Sequence, residues 1–217
     1  MKTLNKEIQD SITPTEALEI LQEGNIRFMN NLKANRNLLK QANETSEGQH
    51  PFAVILSCID SRTSAELIFD QGLGDIFSVR IAGNIINEDI LGSMEYGCKV
   101  AGAKIIVVLG HTRCGAVIGA CDHTEMGNLT ALLTKIRPAV DDEKSITVDR
   151  NSGNLDFVEK VTIIHVRRTV KAIMERSPIL KEMIEEGSIG IVGGLHDITS
   201  GDVKFFEDTL KINVKNG

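Results

Sequence analysis

Phe52-Ala53-Val54-Ile55-Leu56-Ser57, running directly into Cys58-Ile59-Asp60-Ser61-Arg62, is the stretch that decides the fold. FAVILS is almost wholly apolar and has no helical period, which suits a strand buried on both faces. Strands of that kind belong to parallel sheets covered by helices. Lys104 to Leu109 (KIIVVL) repeats the pattern and leads into His111-Thr112-Arg113-Cys114-Gly115. Between them, Asp75 to Ile81 (DIFSVRI) reads as a further strand. Ser188 to Gly193 (SIGIVG) reads as a fourth, and Val203 to Phe206, after the Ser200-Gly201 turn, as a fifth. The intervening segments read as helices: Ala65 to Asp70, Glu88 to Ala101, Gly115 to Ala120, Leu129 to Ile136, Leu155 to Arg176, and one capped by Ser177-Pro178 and ending at Gly187. Strands alternating with helices predict an α/β fold with a mostly parallel central β-sheet flanked by helices. We expect about four parallel strands plus one antiparallel edge strand.

Upstream, Thr13-Pro14-Thr15-Glu16 predicts a helix start, with Thr13 as N-cap, Pro14 at the first helical position and Glu16 closing a capping box. That helix carries Leu18, Leu21 and Phe28 at helical spacing, and Lys33 to His50 reads as a second short helix and a loop. The expected division is an N-terminal helical arm, 1–48, and an α/β domain, 49–217, in a single domain overall. The formal charge of −6 argues against a nucleic-acid backbone as partner. Met1 to Ile12 lacks the apolar run of a signal peptide, and no stretch approaches the ~18 continuous apolar residues of a membrane span. No membrane partner is therefore expected, and the cytoplasm is the expected location. In that reducing compartment the four cysteines, Cys58, Cys98, Cys114 and Cys121, are better suited to metal binding or catalysis than to disulfides.

Ligands of parallel sheets sit beyond the carboxyl ends of the strands, where both cysteine-bearing motifs fall. If the FAVILS and KIIVVL strands are sheet neighbours, Cys58, His111 and Cys114 converge. Two thiolates and an imidazole suit Zn²⁺, and three protein ligands leave a fourth position open, as in catalytic sites. Asp60 stands close enough to ligate the metal or to accept a hydrogen bond from bound water. Arg62 offers a planar fork that can hold the Asp60 carboxylate bidentately. We read the two as a switchable pair: made, the metal carries water; broken, Asp60 takes the metal and closes the site.

CIDSR (Cys58 to Arg62) and HTRCG (His111 to Gly115) resemble the zinc motifs of the β-carbonic anhydrases. The likeness continues through GDIFSVRIAGN (Gly74 to Asn84), SMEYG (Ser93 to Gly97) and GLHDITSGDV (Gly194 to Val203), spanning Gln49 to Phe206. The resemblance implies that Cys58, His111 and Cys114 bind zinc and that Asp60 and Arg62 form the catalytic pair. It implies a hydroxide on zinc that hydrates carbon dioxide to bicarbonate and a proton. It also implies a substrate pocket at a subunit interface, with Gln49, Phe77 and Tyr96 at the matching positions, and hence a homodimer or homotetramer. Gln49 offers an amide for bicarbonate, and the two aromatics offer apolar walls for carbon dioxide. In carbonic anhydrases with three histidine ligands, zinc lowers the pKa of bound water from about 15.7 to about 7. Two thiolates put more negative charge on the metal, so activity here is expected to rise towards alkaline pH.

Two departures stand out. Ile55 replaces the Trp of a bicarbonate-inhibited branch of the family, which favours the open, water-bound form. His196-Asp197 stands where many members have Tyr-Asp. Cys98 and Cys121 belong to no motif and read as packed thiols, and His165 reads as a packed or exposed histidine of the long helix. His50 and His123 are weak proton-shuttle candidates, and Arg167-Arg168 reads as a solvated or interface face. The alternatives are hydrolysis of carbonyl sulfide or carbon disulfide at the same site, a silent zinc protein, and a thiol redox protein. The last lacks a Cys-x-x-Cys motif, and thiolates held by zinc are poor redox partners.

Overall fold

In the computed structural model, which describes residues 3–213, five strands form one sheet in the order β2-β1-β3-β4-β5. They are β1 (Ala53–Ser57), β2 (Ile76–Arg80), β3 (Ile105–His111), β4 (Gly190–His196) and β5 (Val203–Lys211). Every pairing is parallel except β4 with β5, which runs antiparallel at the edge. The sequence-based expectation of four parallel strands and one antiparallel edge strand therefore holds. So does the condition on which the site depended, since β1 and β3 are hydrogen-bonded neighbours. Residues 1–2 and 214–217, at the outer ends of the expected arm and domain, lie outside the described residues.

Ten α-helices accompany the sheet among the described residues. Three precede it: α1 (Lys6–Ser11), α2 (Pro14–Met29) and α3 (Leu38–Glu44). The expected capping box opens α2, with Thr13 accepting from the Glu16 backbone while the Glu16 carboxylate accepts from Thr13 N–H. The others are α4 (Ala65–Ile68), α5 (Glu88–Glu95), α6 (Gly115–Cys121), α7 (Gly127–Thr134), α8 (Arg137–Asp142), α9 (Leu155–Arg176) and α10 (Pro178–Glu185). Alternation along the central strands splits the core. Val54, Leu56, Ile106 and Val108 face α9 residues Val166, Val170 and Ile173 on one side. Ala53, Ile55, Ile105, Val107 and Leu109 pack on the other side with Ala17, Leu18 and Leu21 of α2. The arm helix α2 thus contributes to this chain's own core. A third cluster, containing Val117, Leu133, Ile136, Phe157 and Val161, lies past the carboxyl ends of β1 and β3 and includes Cys58 and Cys114.

Three elements differ from the sequence reading. The expected helix Glu88 to Ala101 ends at Glu95 and continues as a π turn, Tyr96–Val100, closed by the Ala101 N–H donating to Tyr96 O at 2.9 Å. Widened turns of this kind recur at functional places. The helix expected from Leu129 to Ile136 is α7, ending at Thr134, and the unanticipated α8 starts at Arg137 just after it, with Pro138 in its first turn. The last strand reaches Lys211 rather than Phe206, because an antiparallel edge strand tolerates the outward charges of Glu207 and Asp208.

Candidate active site

Strand β1 ends at Ser57, so Cys58 begins the loop beyond it, while β3 ends on His111 itself. The turn Thr112–Arg113, with Arg113 in the left-handed region at φ 56°, swings the chain back and sets Cys114 at the N-cap of α6. There the unpaired N–H groups of the first turn favour a negatively charged sulfur. The donor atoms of Cys58, His111 and Cys114 all lie within 4.8 Å of one another, and all three residues are buried. The two sulfurs are 4.0 Å apart. Sharing that contact holds the Cys58 thiol well below its ordinary range, chiefly through the hydrogen bond from Cys114. Cys114 is pushed up by the same contact and by burial. The Gly83 N–H also points at the Cys58 sulfur, at 3.4 Å.

His111 fixes its own tautomer. Its Nδ1 lies 3.0 Å from Thr112 O and donates to that carbonyl, which leaves the Nε2 lone pair free. That Nε2 is buried with no hydrogen-bond partner in the protein. An orphaned buried acceptor costs free energy unless something fills it. Aimed at two sulfurs, it fits a metal ion, and two thiolates with one imidazole form a set suited to zinc.

Asp60 is held away from that trio. Arg62 donates from Nε to Oδ1 at 2.9 Å and from Nη2 to Oδ2 at 2.8 Å, and the Arg62 backbone N–H adds a third bond to Oδ1 at 2.9 Å. The Arg62 fork keeps the Asp60 carboxyl well below the usual carboxylate range. Oδ2, the oxygen nearer the trio, is 4.0 Å from His111 Nε2. The loop itself is tied down by a residue the sequence reading did not single out. Arg80, at the end of β2, donates to Cys58 O at 3.0 Å and to Asp60 O at 2.6 Å. Arg80 lies inside the GDIFSVRIAGN motif, which marks its position in the sequence without its role.

The remaining candidates are elsewhere. Phe77 and Tyr96 meet edge-on, ring centroids 6.3 Å apart, in a wide groove between the β2 edge and α5, with Tyr96 54% exposed. Gln49 is exposed and precedes β1, while Cys58 follows it. At ~3.3 Å per residue the length of the strand separates the two within one chain. His196 is buried at the end of β4, in register with His111, with neither ring nitrogen hydrogen-bonded in the protein.

The carbonic anhydrase family profile matches residues 53–203, a segment that contains the whole trio and both Asp60 and Arg62. This chain belongs to the β-carbonic anhydrase family. A relative named carbonic anhydrase 2, from Mycobacterium tuberculosis, is 40% identical over 194 residues, covering 87% of this chain and 90% of its own. The carbonic anhydrase of Mycolicibacterium smegmatis is 36% identical over 198 residues, covering 88% of this chain and 92% of its own. Among solved structures, a β-carbonic anhydrase of Aspergillus fumigatus superposes with a TM-score of 0.65 at 27% identity, over 78% of this chain and 85% of that one. A tetrameric β-carbonic anhydrase of Sordaria macrospora, at 24% identity and a TM-score of 0.67 over 76% of this chain and 85% of that one, shares the fold. The activity of this β-carbonic anhydrase is the reversible hydration of carbon dioxide to bicarbonate and a proton. None of its described helices is long and apolar enough to cross a membrane.

Proposed function

We propose that this carbonic anhydrase works with a zinc ion held by Cys58, His111 and Cys114, and with Asp60, fixed by Arg62, as the hydrogen-bond acceptor that orients the attacking water. The observation that carries the reading is the orphaned His111 Nε2, buried and facing two sulfurs with an ionised carboxylate 4.0 Å away. When bound, zinc supplies the acidity that makes water a nucleophile near neutral pH. The protein supplies the rest. His111 presents a lone pair because Nδ1 is committed to Thr112 O. Asp60 presents Oδ2 as an acceptor, which selects one orientation of an O–H bond and leaves an oxygen lone pair for carbon dioxide. Arg62 keeps that carboxylate ionised and turned to its own fork, the arrangement expected of an open site. Arg80 fixes the carbonyls on either side of Ile59, so Cys58 and Asp60 keep their spacing.

Gln49 stands before β1 and the trio beyond the strand's far end, and the Phe77–Tyr96 pair lines an open groove at a sheet edge. A pocket using all three therefore needs a second copy of the chain, which supports a homo-oligomer. The four cysteines are all free thiols, which suits the cytoplasm.

Stopped-flow carbon dioxide hydration from pH 6 to 9, with zinc assayed in parallel, tests the site. Rapid turnover with about one zinc per chain and activity rising towards alkaline pH is expected. Full zinc with no hydration at any pH would overturn the assigned roles.

A further inference from the structure

We propose that His165, in the middle of α9, is a positioning residue for the metal ligand Cys58 and acts on it through the backbone at Gly83. The inference rests on Cys58 being a ligand. His165 is 4% exposed and belongs to no motif, yet its Nε2 lies 2.8 Å from Gly83 O. Facing a carbonyl, that nitrogen must carry the proton and donate. Burial holds the ring down to about 4, so it is neutral and keeps this single-donor form at working pH. One residue spans the gap from there to the sulfur, because the N–H of the same Gly83 donates to Cys58 Sγ at 3.4 Å.

The turn between them needs holding. Gly83 sits at φ 64° and Asn84 at φ 41°, two successive left-handed residues, one of which is not glycine. Such backbone persists only where its surroundings over-determine it. A Cβ on Gly83 would lie 2.6 Å from Ile136 Cδ1 and 3.0 Å from Ala116 Cβ, so packing closes the turn from its Cα side. His165 closes it from the carbonyl side, and the sulfur closes it from the N–H side. Release of the carbonyl frees the Gly83 backbone to rotate. The N–H then leaves the thiolate, and the sulfur loses a donor that fixes its direction and draws off charge. Outer hydrogen bonds of this kind tune metal ligands, and their removal typically costs affinity about 10–100-fold.

The test compares wild type, His165→Leu and His165→Gln. The Leu variant fills the space without a donor, and the Gln variant keeps a donor at similar reach. Zinc affinity by chelator competition should fall about 10–100-fold in His165→Leu and stay near wild type in His165→Gln. The near-ultraviolet sulfur-to-cobalt band of the cobalt-substituted proteins should shift only in the Leu variant. Unchanged affinity and spectrum in His165→Leu, or equal damage in both variants, would overturn the proposal. Should His165→Leu not fold, nitrogen NMR of histidine-labelled wild type decides: protonated Nε2 on His165 supports the proposal, and protonated Nδ1 overturns it. A wild-type protein that takes up no zinc would instead defeat the metal reading, while the tautomer would still report the contact with Gly83.

Discussion

Asp60→Asn is the substitution most telling for the chemistry, and its consequence can be worked from three hydrogen bonds. The carboxylate accepts twice at Oδ1, from the Arg62 backbone and Nε, and once at Oδ2, from Nη2. An amide must place its NH₂ at one of these positions. At Oδ1 it would oppose two donors, so the side chain keeps its oxygen there and turns NH₂ towards Oδ2. That is the atom 4.0 Å from His111 Nε2, so a donor replaces the one acceptor that faces the reaction. The fold loses little and the trio is untouched, so zinc content should remain at the wild-type level. A positioned acceptor for the O–H of the attacking water contributes about 10²–10⁴-fold. Hydration kcat/KM should fall by that factor, equivalent to ~3–5 kcal/mol of barrier. Stopped-flow with a pH indicator measures it directly. A fully zinc-loaded Asp60→Asn enzyme within about threefold of wild type would remove Asp60 from the mechanism.

Cys58→Ser and His111→Ala should each lose most bound zinc on dialysis, read by elemental analysis, while circular dichroism stays close to wild type. Asp70 is buried, and burial alone would raise its carboxyl. The bonds from Arg27 Nε at 2.5 Å, Ala34 N–H at 3.0 Å and Arg36 Nη1 at 2.6 Å outweigh this and hold it low. Its contribution is therefore complete above the ordinary carboxylate pKa of about 4 and lost as pH falls through the lower folded value. Asp70→Asn should cost ~3 kcal/mol at pH 7 and flatten the acid side of the stability curve, measured by urea unfolding followed by circular dichroism because the chain has no Trp. A Cβ on Gly110 would lie 2.6 Å from Val166 Cγ2, between β3 and α9, so Gly110→Ala should destabilise by ~1–3 kcal/mol in the same assay. Burial pushes the Cys98 thiol up to about 12, so it should resist a thiol reagent in the native protein and react on unfolding.

The fold was legible where burial was two-sided. FAVILS and KIIVVL leave no polar face, and only a strand covered by helices accommodates that composition. The convergence of Cys58, His111 and Cys114 was legible because Cys58 follows one such strand, His111 ends the other and Cys114 lies just beyond it, so neighbouring strands alone had to bring them together. What escaped the sequence has a common cause. The guanidinium of Arg80 acts on Cys58 through the Cys58 carbonyl and Gly83 through its own N–H, and a bond with a backbone atom at one end leaves no paired residue in the sequence to mark it. His165 packs like any apolar helix position and differs only in what its ring meets across the core. The π turn at Tyr96 follows an ordinary helical period, and the long edge strand hides its period behind outward charges. Gln49, Phe77 and Tyr96 were singled out only through the family resemblance. Gln49 precedes β1 and Cys58 follows it, while Phe77 and Tyr96 line the groove at the β2 edge.

The most direct test of the central claim is zinc-edge X-ray absorption of the purified enzyme at neutral pH. Two sulfur neighbours at ~2.3 Å with nitrogen and oxygen neighbours at ~2.0–2.1 Å are expected, as Cys58, Cys114 and His111 require. A shell without sulfur, or with more than two sulfurs, would contradict the assignment.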